Sequence, residues 1–382
     1  LEHEASVHAS NAGESAHLPA LDGVRGIAIL LVLLTHLGAI LRDTWVGRHL
    51  GFGWMGVDLF FVLSGFLITR ILLATRKGPS YYRRFYIRRG LRIWPVYYVY
   101  VAVMLLLMHG LSHFPHAFPV STVSPVWLFL LFLQNLNPAS LFCFRDSLFS
   151  VTWSLCIEEH FYLAWPGCVR HLSRRALLLV LGSVFAISPV LRLAAHWWLR
   201  GASYSDWFQT VTRFTPLHLD AISAGCILGI LWSGRRTAPE GESARWFPGL
   251  FLGLLLGGLA GTIVCLRLQD SPNAFSFCFS AIAVMFTGFV GLALNGRFQP
   301  VLLNAPLRYV GKISYGLYLI HPAIFLFLQS HHVLQRLGWN RHPAGVEALA
   351  AAAAVGLSFG IAALSWEFYE KRVLQLKSRL AP

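Results

Sequence analysis

The sequence predicts an all-α fold: a polytopic integral membrane helical bundle of about ten transmembrane helices, with no soluble domain. Three observations carry that expectation. Of 382 residues, 56% are hydrophobic and only 13% charged, and the mean hydropathy is +0.58, values foreign to a soluble globular chain of this size. Apolar runs long enough to cross a hydrocarbon core of about 30 Å recur along the chain. Between them the Lys and Arg residues gather in short clusters, the pattern of cytoplasmic loops under the positive-inside rule.

In chain order, runs near residues 22–41, 57–75, 93–109, 176–196, 216–233, 247–267, 275–295, 313–330 and 346–369 each suffice for one span. Basic clusters occur at Arg76 to Arg92, Arg170 to Arg175, Arg235 to Arg245, Arg297 to Lys312 and Lys371 to Arg379. With both chain ends in the cytoplasm every cluster falls inside, provided that a single net crossing lies between residues 110 and 170. The short apolar stretch 126–136 is then a re-entrant or interfacial piece, and the count is ten; an eleventh span would invert everything downstream. Residues 1–17 have no apolar core of a signal peptide and read as a disordered or expression-derived N-terminal tail ahead of one membrane domain over residues 18–382.

The formal net charge of +14 fits topology and the attraction of an anionic ligand better than nucleic acid, because no continuous basic soluble face exists to hold a polyanion. Six cysteines without CxxC or Cys/His spacing predict neither a disulfide framework nor a metal site. No internal repeat is evident, which weakens an inverted-repeat transporter reading. Self-association stays open, since lipid-facing and protein-facing apolar surfaces look alike in sequence.

Four constellations could carry chemistry. In "RGIAILLVLLTH", Arg25 and His36 are eleven residues apart, so they share a helix face and lie roughly 16 Å apart along the axis. Arg25 sits in a first turn whose free N–H groups favour an anion, and an ionisable His36 inside the bilayer is a functional candidate; the alternative is an interhelical hydrogen bond with Arg25 snorkelling to headgroups. Next, "YYRRFYIRRGLRIWP" places Arg88, Arg89 and Arg92 on converging surfaces, as the end of a run of seven basic residues from Arg76 that suits phosphate or serves topology and anionic lipid. Third, "WSLCIEEHFYLAWP" carries Glu158 and Glu159, about 100° apart on a helix and so directed at different partners. They either serve a catalytic histidine or pair with arginines. Last come Asp58, Ser64, Asp220, Tyr315 and His321, expected to line a substrate cavity or to brace helices. Ser64 lacks the Gly-x-Ser-x-Gly elbow of a nucleophile. In "WEFYEKR", Glu370 and Glu367 adjoin Lys371 and Arg372 at the membrane surface.

Taken together, "LDGVRGIAILLVLLTH", "GVDLFFVLSGFLIT", "RRFYIRRGLRIWPVYY", "WSLCIEEHFYLAWP", "RYVGKISYGLYLIHP" and "WEFYEKR" resemble, in order, the membrane acyltransferase-3 family of bacterial O-acyltransferases. The resemblance runs from Leu18 over nearly the whole chain. It implies that His36 is the essential histidine and Arg25 its paired arginine, that Arg89 and Arg92 belong to a segment used with acyl-CoA, and that Glu158, Glu159 and Glu370 are the family's carboxylates. His160 stands where glutamine is usual, and Arg372 where proline is expected. Many relatives also carry a further helix and an extracytoplasmic hydrolase-like domain, which are not in the sequence given. The implied enzyme lies in the bacterial cytoplasmic membrane and takes an acyl group, acetyl foremost, from acyl-CoA to a hydroxyl of a surface polysaccharide or lipid-linked sugar. His36 then acts as general base or as an acyl relay, with Glu158, Glu159 or Glu370 orienting its ring. A transporter or flippase using the same buried His and Glu residues is the rival reading.

Overall fold

The computed structural model describes residues 18–41, 44–111, 125–136, 148–199, 201, 203–235, 248–268, 271–329 and 343–381; the N-terminal tail lies outside them. Every regular element among the described residues is helical. Ten helices make the bundle: α1 (Pro19–Ile40), α2 (Gly56–Thr75), α3 (Tyr81–Leu111), α4 (Thr152–His171), α5 (Arg174–Trp198), α6 (Asp220–Arg235), α7 (Pro248–Arg267), α8 (Cys278–Leu294), α9 (Ala305–Gln329) and α10 (Pro343–Ser365). Eight of them lie in stretches long and apolar enough to cross a membrane. The other two occupy the remaining expected crossings: α4, 20 residues long and interrupted by Glu158 and Glu159, and α6, 16 residues long.

Local sequence explains several boundaries. Pro19 occupies the first turn of α1, where its missing N–H costs nothing, and Asp22 complements the positive end of the helix. Ser173 caps α5 by accepting from the Ala176 N–H. Stretch 126–136 contains only the five-residue helix Val126–Leu130, about 7.5 Å long, far short of a crossing. Its loose backbone is satisfied from α3, as Tyr97 Oη donates to the Phe129 carbonyl and Tyr98 Oη to the Leu130 carbonyl. Gln134 then donates to Tyr97 Oη and Thr152 Oγ1, so its amide nitrogen is met by protein rather than lipid.

The segment before α2 was not anticipated as structure. Two short helices, Trp45–His49 and the 3-10 turn Gly51–Met55, fold back along α1. Gly53 and Gly56 make this possible, because a Cβ at either would collide with the carbonyl oxygens of Leu31 and Ala28 respectively. Glycines also set the central helix pairs: α1 meets α9 at Gly26 and Gly311, and α2 meets α6 at Gly65 and Gly225, with backbone on backbone. In lipid, where apolar surface gains nothing by leaving water, such close packing is what holds helices together.

Gly311 lies against the carbonyl of Asp22, so Gly311→Leu should force α1 from α9 and destabilise the bundle by at least the overpacking cost of about 1–3 kcal/mol. Gly253→Leu, whose Cβ would meet open space, should leave the melting temperature in detergent unchanged. Equal melting curves for the two variants would show that the glycine contact does not set this pair.

Candidate active site

Helices α1, α2, α3, α4 and α9 converge on a cleft of about 800 Å³, its open mouth included. Arg25 enters it from α1, Ser64 from α2, Arg89 and Arg92 from α3, Glu158 and Tyr162 from α4, and Tyr315 and Tyr318 from α9. Arg25 donates to Asp22 at 2.9 Å and lies in the field of Arg89 and Arg92. Glu158 balances part of that charge, acting on Arg89 and Arg92 and reaching the Ser64 and Tyr162 hydroxyls, which are themselves 2.7 Å apart. Three guanidinium groups facing one carboxylate across the cleft leave it positive, and planar guanidinium forks match phosphate geometry.

The two neighbouring glutamates diverge, as their spacing predicts. Glu159 accepts from Trp94 Nε1 at 3.2 Å and is not on the cleft wall. Arg88 likewise is not on the cleft wall and donates to the Ala381 carbonyl near the chain end. Glu370 is buried at the end of a π turn over Trp366–Glu370, a distortion frequent at functional positions. Its carboxylate accepts from Ser365 Oγ at 3.0 Å and rests on Gly316, where a Cβ would crowd it. A second, smaller cleft joins Glu370 to Arg92, Lys312 and Tyr315, so Arg92 and Tyr315 border both spaces. Tyr315 Oη donates to the Ile93 carbonyl at 2.8 Å.

His36 is partly buried and is not on the cleft wall. Its Nδ1 is 3.1 Å from the Val32 carbonyl oxygen and 3.3 Å from His321 Nε2. The two rings meet edge to face with centroids 4.7 Å apart, and Phe325 closes the side of His36. The expected glutamate beside this imidazole is therefore replaced by a second histidine; the glutamates stand with the arginines and with Trp94 instead. Tyr318 links the two regions, lining the cleft while its ring lies 6.0 Å from that of His321.

Asp58 and Asp220, both expected to line a substrate cavity or to brace helices, take the second course. Asp58 Oδ1 accepts from His218 Nε2 at 2.9 Å, and Asp220 Oδ2 accepts from Arg192 at 2.8 Å and from Ser280 at 2.7 Å. All four ionisable groups are fully buried or nearly so. Arg192 spends its other donors on the Ser276 and Leu217 carbonyls. His160 Nδ1 pairs with Thr215 Oγ1 at 2.9 Å, and Asn135 of the 126–136 stretch donates to the same hydroxyl. Arg192, His218, Tyr162 and Tyr318 were not singled out from sequence; Arg192 and His218 carried a signal, as ionisable groups within apolar runs. Among the described residues, no group of three or more potential metal ligands gathers.

A family model described as an acyltransferase domain matches residues 18–367. O-acetyltransferase OatA of Staphylococcus aureus is 29% identical over 346 residues, which cover 83% of this chain and 52% of that protein. Peptidoglycan O-acetyltransferase OatA of Listeria monocytogenes is 28% identical over 385 residues, covering 93% and 55%, and the putative peptidoglycan O-acetyltransferase YrhL of Bacillus subtilis is 28% identical over 347 residues, covering 85% and 51%. The chain thus spans about half the length of the curated relatives it matches. No solved structure matches it.

The buried Arg192–Asp220 pair gives a stability test separate from the cleft. Asp220→Ala leaves the Arg192 charge without its counter-ion and should cost about 3–5 kcal/mol, read as a large fall in the detergent melting temperature. The double replacement Arg192→Leu with Asp220→Ala should recover part of that loss; a double variant no better than the single one would show that the pair is not the origin of the effect.

Proposed function

Because this chain belongs to the acyltransferase-3 family, we propose that it is a membrane O-acyltransferase that moves an acyl group, acetyl foremost, from acyl-CoA to a carbohydrate hydroxyl. The observation that carries the reading is the cleft into which Arg25, Arg89 and Arg92 converge from two helices. The donor's phosphates are held there, with Arg88 at the outer edge of the same basic surface. Two of the similar proteins are named for peptidoglycan, and a peptidoglycan sugar is the acceptor adopted here, ahead of a surface polysaccharide or lipid-linked sugar. Family membership favours this chemistry over transport.

In this reading the basic clusters face the cytoplasm of a bacterial cell, both chain ends lie on that side, and acyl-CoA enters from it. Arg25 and His36 are roughly 16 Å apart along α1, a length for the pantetheine arm to span. Tyr315 and Tyr318 flank its path, and Ser64 with Glu158 fixes the neighbouring wall. His36 removes the proton from the acceptor hydroxyl as its oxygen attacks the thioester carbonyl. The carbon–sulfur bond then breaks, and the departing thiolate takes that proton from the imidazolium, leaving an ester, free coenzyme A and His36 as it began. Glu370 steadies Arg92 from the second cleft, and Glu159 holds Trp94 at the lip of α3.

His36→Ala should abolish coenzyme A release from acetyl-CoA in the presence of peptidoglycan fragments, with the protein still folded in detergent; retained turnover would exclude His36 as the base. Charge reversal by Arg89→Glu or Arg92→Glu should weaken acetyl-CoA binding at least tenfold while acceptor binding changes little. Unchanged acetyl-CoA affinity in both variants would remove the phosphate role.

A further inference from the structure

The pairing of His36 with His321 is unexplained by anything above, since a general base is ordinarily oriented by a carboxylate. We propose that His321 is a positioning residue that fixes the proton of His36 on Nδ1 and thereby leaves Nε2 as the basic nitrogen. The inference rests on the reading of His36 as the base.

Hydrogen-bond donors and acceptors dictate the assignment. His321 Nδ1 lies 2.9 Å from the Leu317 carbonyl oxygen, and a carbonyl can only accept, so this nitrogen bears a hydrogen. His321 is fully buried, and its ring contacts among the described residues are Tyr318, Phe325 and His36. The groups acting on the ring are His36 and the Leu317 and Tyr318 backbone, with no carboxylate among them, so a second proton would lack a counter-charge and Nε2 keeps its lone pair. That lone pair points at His36 Nδ1, 3.3 Å away. The second neighbour of His36 Nδ1 is the Val32 carbonyl, also an acceptor. Facing two acceptors, Nδ1 must be the protonated nitrogen, and a neutral imidazole then carries its free pair on Nε2.

The Val32 carbonyl alone would hold the proton less firmly, because in the helix it already accepts the backbone N–H four residues on. His321 supplies an acceptor with no competing donor, and the edge-to-face contact at an interplanar angle of 81° keeps the ring from swinging. A neutral acceptor also differs from a carboxylate in consequence. The imidazolium formed during transfer strengthens the hydrogen bond it already makes to His321 but forms no ion pair, so returning the proton to the leaving thiolate breaks no salt bridge. Placement suits the role, since Tyr318, one helical turn before His321, already lines the cleft.

The test compares His321→Leu, His321→Gln and His36→Ala in the full chain in detergent, with acetyl-CoA and peptidoglycan fragments, following coenzyme A release and acetyl-CoA affinity. His321→Leu removes the acceptor and should lower kcat about 10- to 100-fold, part of the range that proton transfer by a side chain contributes, with KM for acetyl-CoA within about twofold. His321→Gln places an amide oxygen where Nε2 stood and should restore at least fivefold of that loss. Acetyl-CoA affinity equal to the unaltered protein shows that both variants are folded. Equal kcat in the Leu and Gln variants, a loss confined to KM, or full activity of His321→Leu beside an inactive His36→Ala would overturn the inference. Retained turnover in His36→Ala would instead overturn the reading beneath it.

Discussion

The contact on which the rest of the structure depends is the backbone-to-backbone approach of α1 and α9. Gly26 faces Leu307, and Gly311 faces the carbonyl of Asp22 and the nitrogen of Gly26, leaving no room for a side chain between the two helices. That closeness fixes their register as well as their distance. Ten residues beyond Gly26 is His36, and ten beyond Gly311 is His321; parallel helices with equal rise bring these two level. The same register leaves Arg25 facing the cleft that α9 lines with Tyr315 and Tyr318. A slip of one residue on either helix would turn each of these side chains by about 100° and dissolve both the histidine pair and the edge of the cleft.

Two kinds of charge coexist inside this bundle, one fully buried and one half-buried beside the cleft. Arg192 donates to two carbonyls, a carboxylate and a hydroxyl, so its capacity is used within the protein and a ligand could only compete at a loss. With Asp220, Asp58 and His218 it closes a network that joins α2, α5, α6 and α8. Arg25, Arg89 and Arg92 instead share a cleft with one facing glutamate. Like charges crowded in this way repel, and an anion of two or more charges relieves the repulsion. The structure therefore separates charges that brace helices from charges that line an open cleft, a distinction that residue type does not make.

Much of the bundle was legible in the sequence because hydropathy is a local property: each span is decided by about twenty consecutive residues. Divergence of Glu158 and Glu159 was equally local, and so was the shared face of Arg25 and His36. What failed was everything set between distant segments. Asp58 and Asp220 were visible as ionisable groups in apolar runs, but their bracing role depends on His218 and Arg192, 160 and 28 residues away. The fold-back of residues 45–55 depends on Gly53 and Gly56 meeting α1 carbonyls, and no periodicity announces that. The partner of His36 is 285 residues distant; expecting a glutamate there followed from the usual triad pattern, whereas the helix register supplied a histidine.

That substitution has a physical logic in a bilayer. A carboxylate beside His36 would need its own charge solvated whenever the imidazole is neutral, at several kcal/mol for an ion away from water. The three glutamates expected beside His36 instead stand where cations or hydrogen-bond donors meet them: Glu158 near Arg89 and Arg92, Glu370 beside Ser365 and in the field of Arg92, and Glu159 on Trp94. A histidine acceptor carries no such cost, since its lone pair is neutral and its own N–H is satisfied by Leu317 within the helix. Placing the charged groups around the cleft and a neutral pair at the far end of α1 lets one helix carry both without leaving an ion stranded in between.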